Sequence, residues 1–380
     1  MPPATETPPD QAEASPTPPA APAPSAVKPL TWALAIATYK RHDVLMQCVE
    51  LALAQTRPPA EVVIADASPN WTEGRDRLFA RFRDQHPDVK FVFEQARRPS
   101  AAVQRNQVAE LSESDIVFLF DDDSLMHRGA AEAIMAVYDA DPLGQVVGVA
   151  ARLASQPPGE VIDDQAKQEI EAARVAPTVK SYPAPVRWVR SLLKADDLFV
   201  PYDEDFPDHP IPDAVNELHV GRRQLMAGMT MTCRRLPLLE ERFEEVLADR
   251  GPEDSDVSYR LSRRGAILTA LDAEVFHVGS PAGRFSSYSR EALGQIGPLV
   301  LHRVYSTDQK RSKKRSAALT RRRLMIGLLK DLKQKQWSFP NARASWLALR
   351  QIKPIFKMTR DELEAWYPAF QKQLIEATRG

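Results

Sequence analysis

Apolar and polar residues are arranged along the first half of the chain in blocks that predict strands and helices in turn. The run Trp32–Ala37 is short, apolar and ended by polar residues, which indicates a buried strand. From Asp43 to Gln55 the apolar residues recur at helical spacing, which predicts an amphipathic helix. The alternation continues with strands predicted at 61–65, 89–93, 116–120 and 146–150, and helices at 71–85, 101–111 and about 129–139. Strands alternating with helices of this length predict an α/β domain with a mostly parallel sheet flanked by helices.

The second half of the chain is less regular. Residues 152–222 are rich in proline, and a long irregular insertion is typically a lid or binding loop, with disorder as the alternative. Regular structure is expected again at 224–233, then a helix at 252–264 and two short strands at 266–271 and 274–276. From about residue 289 the pattern is helical.

These patterns divide the chain into three parts. Residues 1–29 contain almost no large apolar side chain, so they are expected to be disordered. Residues 30–285 are expected to form the α/β domain, with 152–222 as an insertion or acceptor loop. Residues 286–380 are expected to form a basic helical C-terminal extension.

Composition narrows the class of protein. The chain has 380 residues, of which 43% are hydrophobic and 27% charged, which is ordinary for a soluble enzyme. A net charge of -1 argues against nucleic-acid binding through bulk charge. Cys48 and Cys233 are too few for a disulfide scaffold or a four-thiolate zinc site, and we expect both to be buried and reduced. Without an apolar run of about 20 residues or a secretory signal, a cytoplasmic location is expected.

The first candidate chemistry is the acidic run Asp121-Asp122-Asp123, which directly follows the apolar strand at 116–120. Adjacent carboxylates at a buried strand end repel one another and are costly to bury unpaired. A divalent cation relieves both costs, and hard oxygen ligands suit Mg²⁺ or Mn²⁺ bound together with substrate phosphates. The alternative is a solvated acidic turn that caps the following helix.

The second candidate is Asp254, at the start of the helix predicted at 252–264. Asp254, Val257 and Leu261 share one helix face, so the carboxylate is expected to point inward. Such a carboxylate in the first helical turn suits a general base. The alternative is an acid that merely caps the helix.

Several motifs together resemble glycosyltransferase family 2 with the GT-A fold. In chain order they are residues 37–41 (ATYKR), 62–68 (VVIADAS), 100–106 (SAAVQRN), 121–123 (DDD), 251–261 (GPEDSDVSYRL) and 274–277 (EVFH). One departure is Ala67, where the family often shows a second acid, so Asp66 alone is expected to contact the nucleobase.

The resemblance implies an inverting, metal-dependent transfer of a sugar from a nucleotide-sugar, with a UDP-sugar favoured. It implies Asp254 as the base, Asp123 as the direct metal ligand and His277 as a ligand or diphosphate contact. Asp121 or Asp122 is expected to meet the ribose.

Further donor-binding candidates follow from their residue types and positions. Thr38, Tyr39 and Arg41 lie in the first strand-to-helix loop, and Arg105 lies on a later helix. These types can stack on a nucleobase or bind phosphates, although the two arginines are equally consistent with surface solvation. Gly228 permits either close approach of the donor sugar or a turn.

The C-terminal part carries many Lys and Arg residues between 310 and 335, against the single acid Asp331. Apolar residues are interleaved with them, and Trp337 follows. A basic amphipathic helix over 310–337 is consistent with contact to an anionic membrane surface. Packing of its apolar stripe on the domain is the alternative.

Other functions remain open at this point. A haloacid-dehalogenase-type phosphohydrolase also places acids after an apolar strand, but usually near its start, whereas three strand–helix units come first here. A sugar-phosphate nucleotidyltransferase would have a Gly-rich first loop, which this sequence lacks. A non-catalytic sugar- or membrane-binding protein is a further alternative, and it would not need Asp254. A Gln-x-x-Arg-Trp segment is absent, which favours transfer of one sugar per encounter. The acceptor is open among a glycan, a lipid-linked molecule and a small molecule, and no nucleic acid is expected.

Overall fold

The computed structural model of the protein describes residues 29–159, 201–247, 251–279 and 286–377. The tail expected to be disordered lies outside the described residues except at its last position, and so does the middle of the 152–222 insertion. Both expectations stay predictions.

Within these described ranges, nine strands form one mixed sheet with the order β3-β2-β1-β4-β8-β6-β9-β5, and β7 pairs with β9 beside this path. Strands β1 to β4, β6 and β9 run in one direction, and β5, β7 and β8 run against them. Their bounds are β1 Trp32–Thr38, β2 Glu61–Asp66, β3 Lys90–Gln95, β4 Ile116–Phe118, β5 Ser124–Met126, β6 Val146–Leu153, β7 Val220–Arg222, β8 Met231–Arg234 and β9 Ala266–His277. The mostly parallel α/β fold expected from the sequence is confirmed.

Helices cover both faces of this sheet, because its central strands are apolar on both sides. Apolar residues of α1, α2 and α4 share one core with the sheet, and those of α3, α6 and α7 share the other. The helices are α1 His42–Leu53, α2 Trp71–Phe82, α3 Ala101–Leu111, α4 Ala130–Asp139, α5 Asp213–Asn216, α6 Arg235–Glu241 and α7 Glu253–Ser262.

Four helices follow the sheet: α8 Ser287–Tyr305, α9 Gln309–Lys333, α10 Pro340–Ile355 and α11 Arg360–Glu376. Helix α10 packs on both α8 and α9. A third apolar cluster joins these helices to the α/β part, since it contains Val246, Leu247 and Tyr259 together with residues of α8, α10 and α11. The helical extension expected from the sequence is therefore packed against the helix that carries Asp254.

The structure corrects one predicted element and adds several short ones, among them the helices α5 and α6. The two short strands expected at 266–271 and 274–276 are a single strand, β9. The interruption in their pattern is a bulge, because Ala151 pairs with Ala270 while the next residue, Arg152, pairs with Glu274. The short strands β5 and β7 were not predicted, since three residues carry too little pattern to be recognised.

The two cysteines and the hydropathy of the helices complete the description of the fold. Cys48 and Cys233 are both free and buried, as expected. Among the described residues, no helix has the length and apolar character needed to cross a membrane.

Candidate active site

Three neighbouring parallel strands end together and gather the site. Thr38 ends β1 and lies beside Asp66, which ends β2. Asp121 continues beyond β4 and makes a further bridge to Ala37. Since the carboxyl ends of parallel strands meet at one sheet edge, where ligands of open α/β folds bind, residues distant in sequence become neighbours.

The three aspartates of the acidic run have different partners. Asp122 is buried, accepts a hydrogen bond from Thr38 Oγ1 at 2.7 Å and pairs with Arg41 Nη1 at 2.6 Å. Asp121 instead pairs with Arg105, whose Nη2 lies 2.8 Å from Asp121 Oδ1. Asp123 points to His277, with 3.1 Å between His277 Nε2 and Asp123 Oδ1. The run is thus a junction of three separate contacts and not a solvated turn.

His277 reaches the run because of the unpredicted strand β5. Strand β5 is antiparallel to β9, and Ser124 pairs directly with His277. The backbone N–H of Val278 donates to the carbonyl oxygen of Asp123 at 3.1 Å, which fixes the two segments against each other. The last residue of β9 is therefore held next to the acidic run.

Asp121, Asp123 and His277 each offer a ligand atom, and these atoms lie within 4.8 Å of one another. Two carboxylates and an imidazole fit Mn²⁺ or Mg²⁺, which bind a few protein ligands and leave positions for substrate oxygens. The expected ligands Asp123 and His277 are thus brought together. Asp121, which the sequence assigned to the donor, joins them, while Asp122 is turned away toward Arg41.

Burial and the clustered carboxylates change the pKa values of the residues in this site. Burial, together with the neighbouring Asp123, raises the pKa of Asp122 to about 6, although Arg41 and Thr38 oppose the shift. Burial also raises the pKa of Asp121. For His277, burial disfavours the protonated form, but the hydrogen bond to Asp123 and the charges of Asp123 and Asp121 outweigh it and raise the pKa. All three shifts describe a site that favours added positive charge.

Arg105 connects the acidic run to Asp254. It is buried, and its Nη1 lies 2.5 Å from Asp254 Oδ1 while its Nη2 contacts Asp121. The other oxygen of Asp254 accepts from the backbone N–H of Gly228 at 2.7 Å. Neither Arg41 nor Arg105 is a surface residue, so the solvation alternative is wrong for both.

Asp254 does not cap its own helix, because helix α7 begins after Pro252 without a side-chain cap. Val257 and Leu261 are fully buried, as expected for the shared inward face. The carboxylate is therefore directed to Arg105 and Gly228 and not to the first turn of α7.

Glu253, next to Asp254, was missed by the sequence reasoning. Burial and the charge of Asp254 raise the pKa of Glu253 to about 7, against the opposing charge of Arg105. Its Oε1 lies 3.5 Å from Arg105 Nη1. The adjacent acids of the 251–261 motif were a visible signal, but only Asp254 was assigned a role.

At the end of β2, Asp66 is completely buried and already bonded. Its Oδ2 lies 2.7 Å from His42 Nε2, and its Oδ1 accepts from the backbone N–H of Ser68 at 2.7 Å. Tyr39, which follows Thr38 in sequence, is half-exposed, with the Lys40 ammonium 5.1 Å from its ring centroid. Of these two predicted donor contacts, Tyr39 is open to solvent, whereas Asp66 is bonded within the protein.

Gln104 is a second residue that the sequence reasoning missed. Its side-chain amide donates to the carbonyl oxygens of Thr38 at 2.9 Å and Ala65 at 2.8 Å. These bonds join the ends of β1 and β2 where the loops of the site begin. Only its place one residue before Arg105 pointed to it.

Comparison with known proteins agrees with this geometry. Residues 33–160 match the family model described as Glycosyl transferase family 2. A curated relative, the glucosyl-dolichyl phosphate glucuronosyltransferase of Haloferax volcanii, is 28% identical over 117 residues, which are 30% of this chain and 36% of that protein. The chain thus spans about a third of the length of this relative.

Comparison with solved structures shows the fold of the chain in GalNAc-T7. GalNAc-T7 with UDP, GalNAc and Mn²⁺ superposes with a TM-score of 0.50 at 14% identity, covering 89% of this chain and 58% of that one. The mannosyltransferase PcManGT from Pyrobaculum calidifontis, in complex with GDP-Man and Mn²⁺, gives a TM-score of 0.47 at 16% identity over 93% of this chain and 86% of that one. The superposition on GalNAc-T7 shows that the α/β sheet and its helices have the GT-A fold. Over residues 33–160 the sequence is similar to glycosyltransferase family 2.

Proposed function

We propose that the protein is an inverting glycosyltransferase that moves one sugar from a UDP-sugar to an acceptor hydroxyl, with Asp254 as general base. The observation that carries the proposal is the contact of one buried guanidinium, Arg105, with both Asp254 and Asp121. The candidate base and the candidate metal-binding carboxylates therefore lie on two sides of a single side chain.

In this proposal Asp254 takes the proton of the acceptor hydroxyl. The acceptor oxygen then forms a bond to the anomeric carbon as the bond from that carbon to the nucleoside diphosphate breaks. Such proton transfer by a positioned carboxylate contributes about 10²–10⁴-fold in rate. The hydrogen bond from Gly228 and the ion pair with Arg105 fix the direction of the carboxylate, which supports this role.

Asp121, Asp123 and His277 would hold Mn²⁺ or Mg²⁺. When bound, the ion supplies positive charge to the diphosphate that leaves. Arg41, paired with Asp122 and 3.5 Å from Asp123 Oδ2, adds a fixed cation at the same place. The structure of GalNAc-T7 contains UDP and Mn²⁺, which supports a UDP-sugar and a divalent ion here.

The remaining donor contacts are proposed from their positions. Tyr39 is half-exposed, and we propose that its ring stacks on the base. Asp66 is bonded to His42 and Ser68, so we propose that it orients this loop and reaches the base only if His42 moves. Gly228 lies beside Arg105 and Asp254, which suits a narrow position for the donor sugar.

The acceptor remains a proposal of class only. The name of the Haloferax volcanii relative states a glucosyl-dolichyl phosphate substrate for that protein. A lipid-linked acceptor is therefore the first candidate for this chain, ahead of a free glycan or small molecule. Non-processive transfer and a cytoplasmic location stay predictions.

The decisive experiment compares Asp254→Asn with wild type. A panel of UDP- and GDP-sugars with Mn²⁺ is first screened for a rise in melting temperature, because a ligand that binds only the folded state stabilises it. We expect the variant to keep the donor-dependent rise but to lose about 10²–10⁴-fold in sugar transfer or donor hydrolysis.

Glu253→Gln and Asp272→Asn serve as comparisons, the first beside the base and the second at an exposed ion pair on β9. Near-normal turnover by Asp254→Asn would remove the base assignment. A loss confined to Glu253→Gln would transfer the role to Glu253.

A further inference from the structure

The fully buried residues of helix α9, which face its neighbours, are small or polar. Its buried residues are Ser312, Ser316, Thr320, Gly327 and Asp331. A Cβ at Gly327 would lie 3.0 Å from the backbone carbon of Asn341, so the start of α10 approaches α9 closely there. Asp331 accepts from the backbone N–H of Ala342 at 2.9 Å and from the side chain of Asn341. The one acid of the basic segment is therefore used for packing.

Four large apolar residues of α9 lie on the opposite face. Met325, Leu328, Leu329 and Leu332 follow the spacing i, i+3, i+4, i+7 and are 39–56% exposed. At 100° per residue this stripe is centred roughly 130° from the midpoint of the buried Gly327 and Asp331. Trp337, just after the helix, is 71% exposed. The alternative that the apolar stripe packs on the domain is wrong for these residues.

Basic residues extend the same outward face toward the start of the helix. The exposed cations on it are Lys310, Arg311, Lys314, Arg321 and Arg322. Within the part of the chain that the structure describes, none of their side chains forms an ion pair with a carboxylate. The face therefore consists of unneutralised cations in its first half and solvent-exposed apolar side chains in its second half.

We propose that this outward face of α9, with Trp337, docks the protein on an anionic lipid surface. In this arrangement the leucines and the indole enter the boundary between headgroups and acyl chains, while the arginines and lysines contact lipid phosphates. This docking face lies on the C-terminal helix α9 and is separate from the residues of the proposed transfer reaction.

Charge and shape favour a lipid surface over two other occupants. A second copy paired through the same face would bring like charges together, which is unfavourable. A nucleic acid would satisfy the cations, but it would leave the leucine stripe in water. Only an interface that is both anionic and apolar satisfies both halves of the face.

The test is flotation of the full chain with vesicles of phosphatidylcholine alone or of equal parts phosphatidylcholine and phosphatidylglycerol. We expect binding only to the anionic vesicles, and loss of binding at about 1 M salt, where the Debye length is about 3 Å. Leu328→Gln combined with Leu332→Gln should weaken binding about tenfold or more. Arg321→Gln combined with Arg322→Gln should do the same.

Matched controls use exposed residues of the α/β part: Leu143→Gln with Leu236→Gln for the apolar pair, and Arg83→Gln with Arg128→Gln for the charged pair. These should leave vesicle binding unchanged. All variants should keep the wild-type melting temperature and the Mn²⁺-dependent turnover of donor in solution, so a failure of membrane binding is separable from a failure of the proposed activity.

Three results would overturn the proposal. The first is equal binding of wild type to neutral and anionic vesicles, or no binding to either. The second is unchanged binding by the leucine pair. The third is a stable dimer in sedimentation that the leucine pair dissociates without any effect on vesicles, since that would make the stripe an interface between copies.

Discussion

His277 Nε2 lies 3.1 Å from Asp123 Oδ1, although the two residues belong to different halves of the α/β domain. The contact depends on β5, whose Ser124 pairs with His277 in an antiparallel ladder. A histidine fixed by strand pairing keeps its position when its partner carboxylate binds a cation. We therefore expect the contact between Asp123 and His277 to matter for metal binding.

We expect His277→Ala to weaken Mn²⁺ binding by about 10–100-fold, the range typical of changes around metal ligands. Asp123→Asn should weaken it more, because it removes an anionic ligand candidate that is almost fully buried. The measurement is the rise in melting temperature with Mn²⁺ and UDP.

An exposed pair of the same two residue types supplies the control. His219 Nδ1 lies 2.8 Å from Asp272 Oδ1, and both side chains are largely exposed. His219→Ala and Asp272→Asn should leave the Mn²⁺ response unchanged. A normal response in Asp123→Asn would contradict the ligand assignment.

Gly228 gives a second prediction, because it leaves room for the contact between Arg105 and Asp254. A Cβ at this position would lie 2.1 Å from Arg105 Nη2 and 2.9 Å from Asp254 Oδ2. The displaced atoms are side-chain ends, so Gly228→Ala should change the melting temperature little. A shift of about 1 Å in a catalytic group can lower turnover about 10²-fold, and we expect a loss of that size.

Gly294→Ala is the matched substitution, since a Cβ there meets nothing within 4 Å. Gly294 lies inside α8, so alanine should stabilise the protein by up to about 1 kcal/mol and leave turnover unchanged. If Gly228→Ala were as active as Gly294→Ala, the arrangement of Arg105 and Asp254 would not matter for the reaction.

The sequence predicted the strands and helices that have a clear period, and with them the sheet edge that holds Thr38, Asp66 and Asp121. The prediction of the sheet edge is correct because short apolar runs identify buried strands from local sequence alone. The carboxyl ends of parallel strands then meet at one edge of the sheet. Strand β5 has three residues, and its existence depends on pairing with β9. Its position was therefore not visible in the local pattern.

The partners of individual side chains were also beyond the sequence. Asp121, Asp122 and Asp123 are chemically identical, and only the loop geometry directs them to Arg105, Arg41 and His277 respectively. The burial of Arg105 depends on α7 and on the loop at Gly228, both far away in sequence. Long-range packing decides such contacts, which periodicity does not record.

A third prediction concerns the buried ion pair inside α7. Asp256 is fully buried, lies 2.5 Å from Arg260 Nη2 and accepts a hydrogen bond from Tyr202. Asp256→Ala removes the shorter of the two carboxylate contacts of buried Arg260 and leaves only Glu241, 3.3 Å from Nη1, which should cost about 3–5 kcal/mol. The free energy of unfolding from denaturant titration measures this loss.

Arg264→Ala provides the comparison, because Arg264 is more exposed and pairs with Glu240 and Glu241 at the surface. Surface pairs of this kind contribute about 0.2–1 kcal/mol. Equal losses for Asp256→Ala and Arg264→Ala would show that the buried pair does not stabilise α7.

Glu61 carries a prediction about pH. It begins β2, is buried, and its Oε2 accepts from the hydroxyls of Ser112 and Ser114 at 2.7 Å each and from the backbone N–H groups of Glu113 and Ser114 at 2.8 Å each. Burial opposes the charged form, but the hydrogen bonds from Ser114, Ser112 and the backbone outweigh it and lower the pKa below its ordinary value of 4.5.

A carboxylate with a lowered pKa in the folded state stabilises the protein above its unfolded pKa. That contribution is lost as the pH falls through the folded value. Glu61→Gln should therefore destabilise the protein by about 1–3 kcal/mol at neutral pH, since hydrogen bonds to a charged acceptor are replaced. The difference from wild type should shrink as the pH falls below 4.5. Lys90 Nζ lies 3.3 Å from Glu61 Oε1 and 2.9 Å from the exposed Glu113, so Glu113→Gln is the control and should show a small difference at every pH. A Glu61→Gln difference that stays constant down to acidic pH would mean that the four hydrogen bonds do not depend on the charge of Glu61.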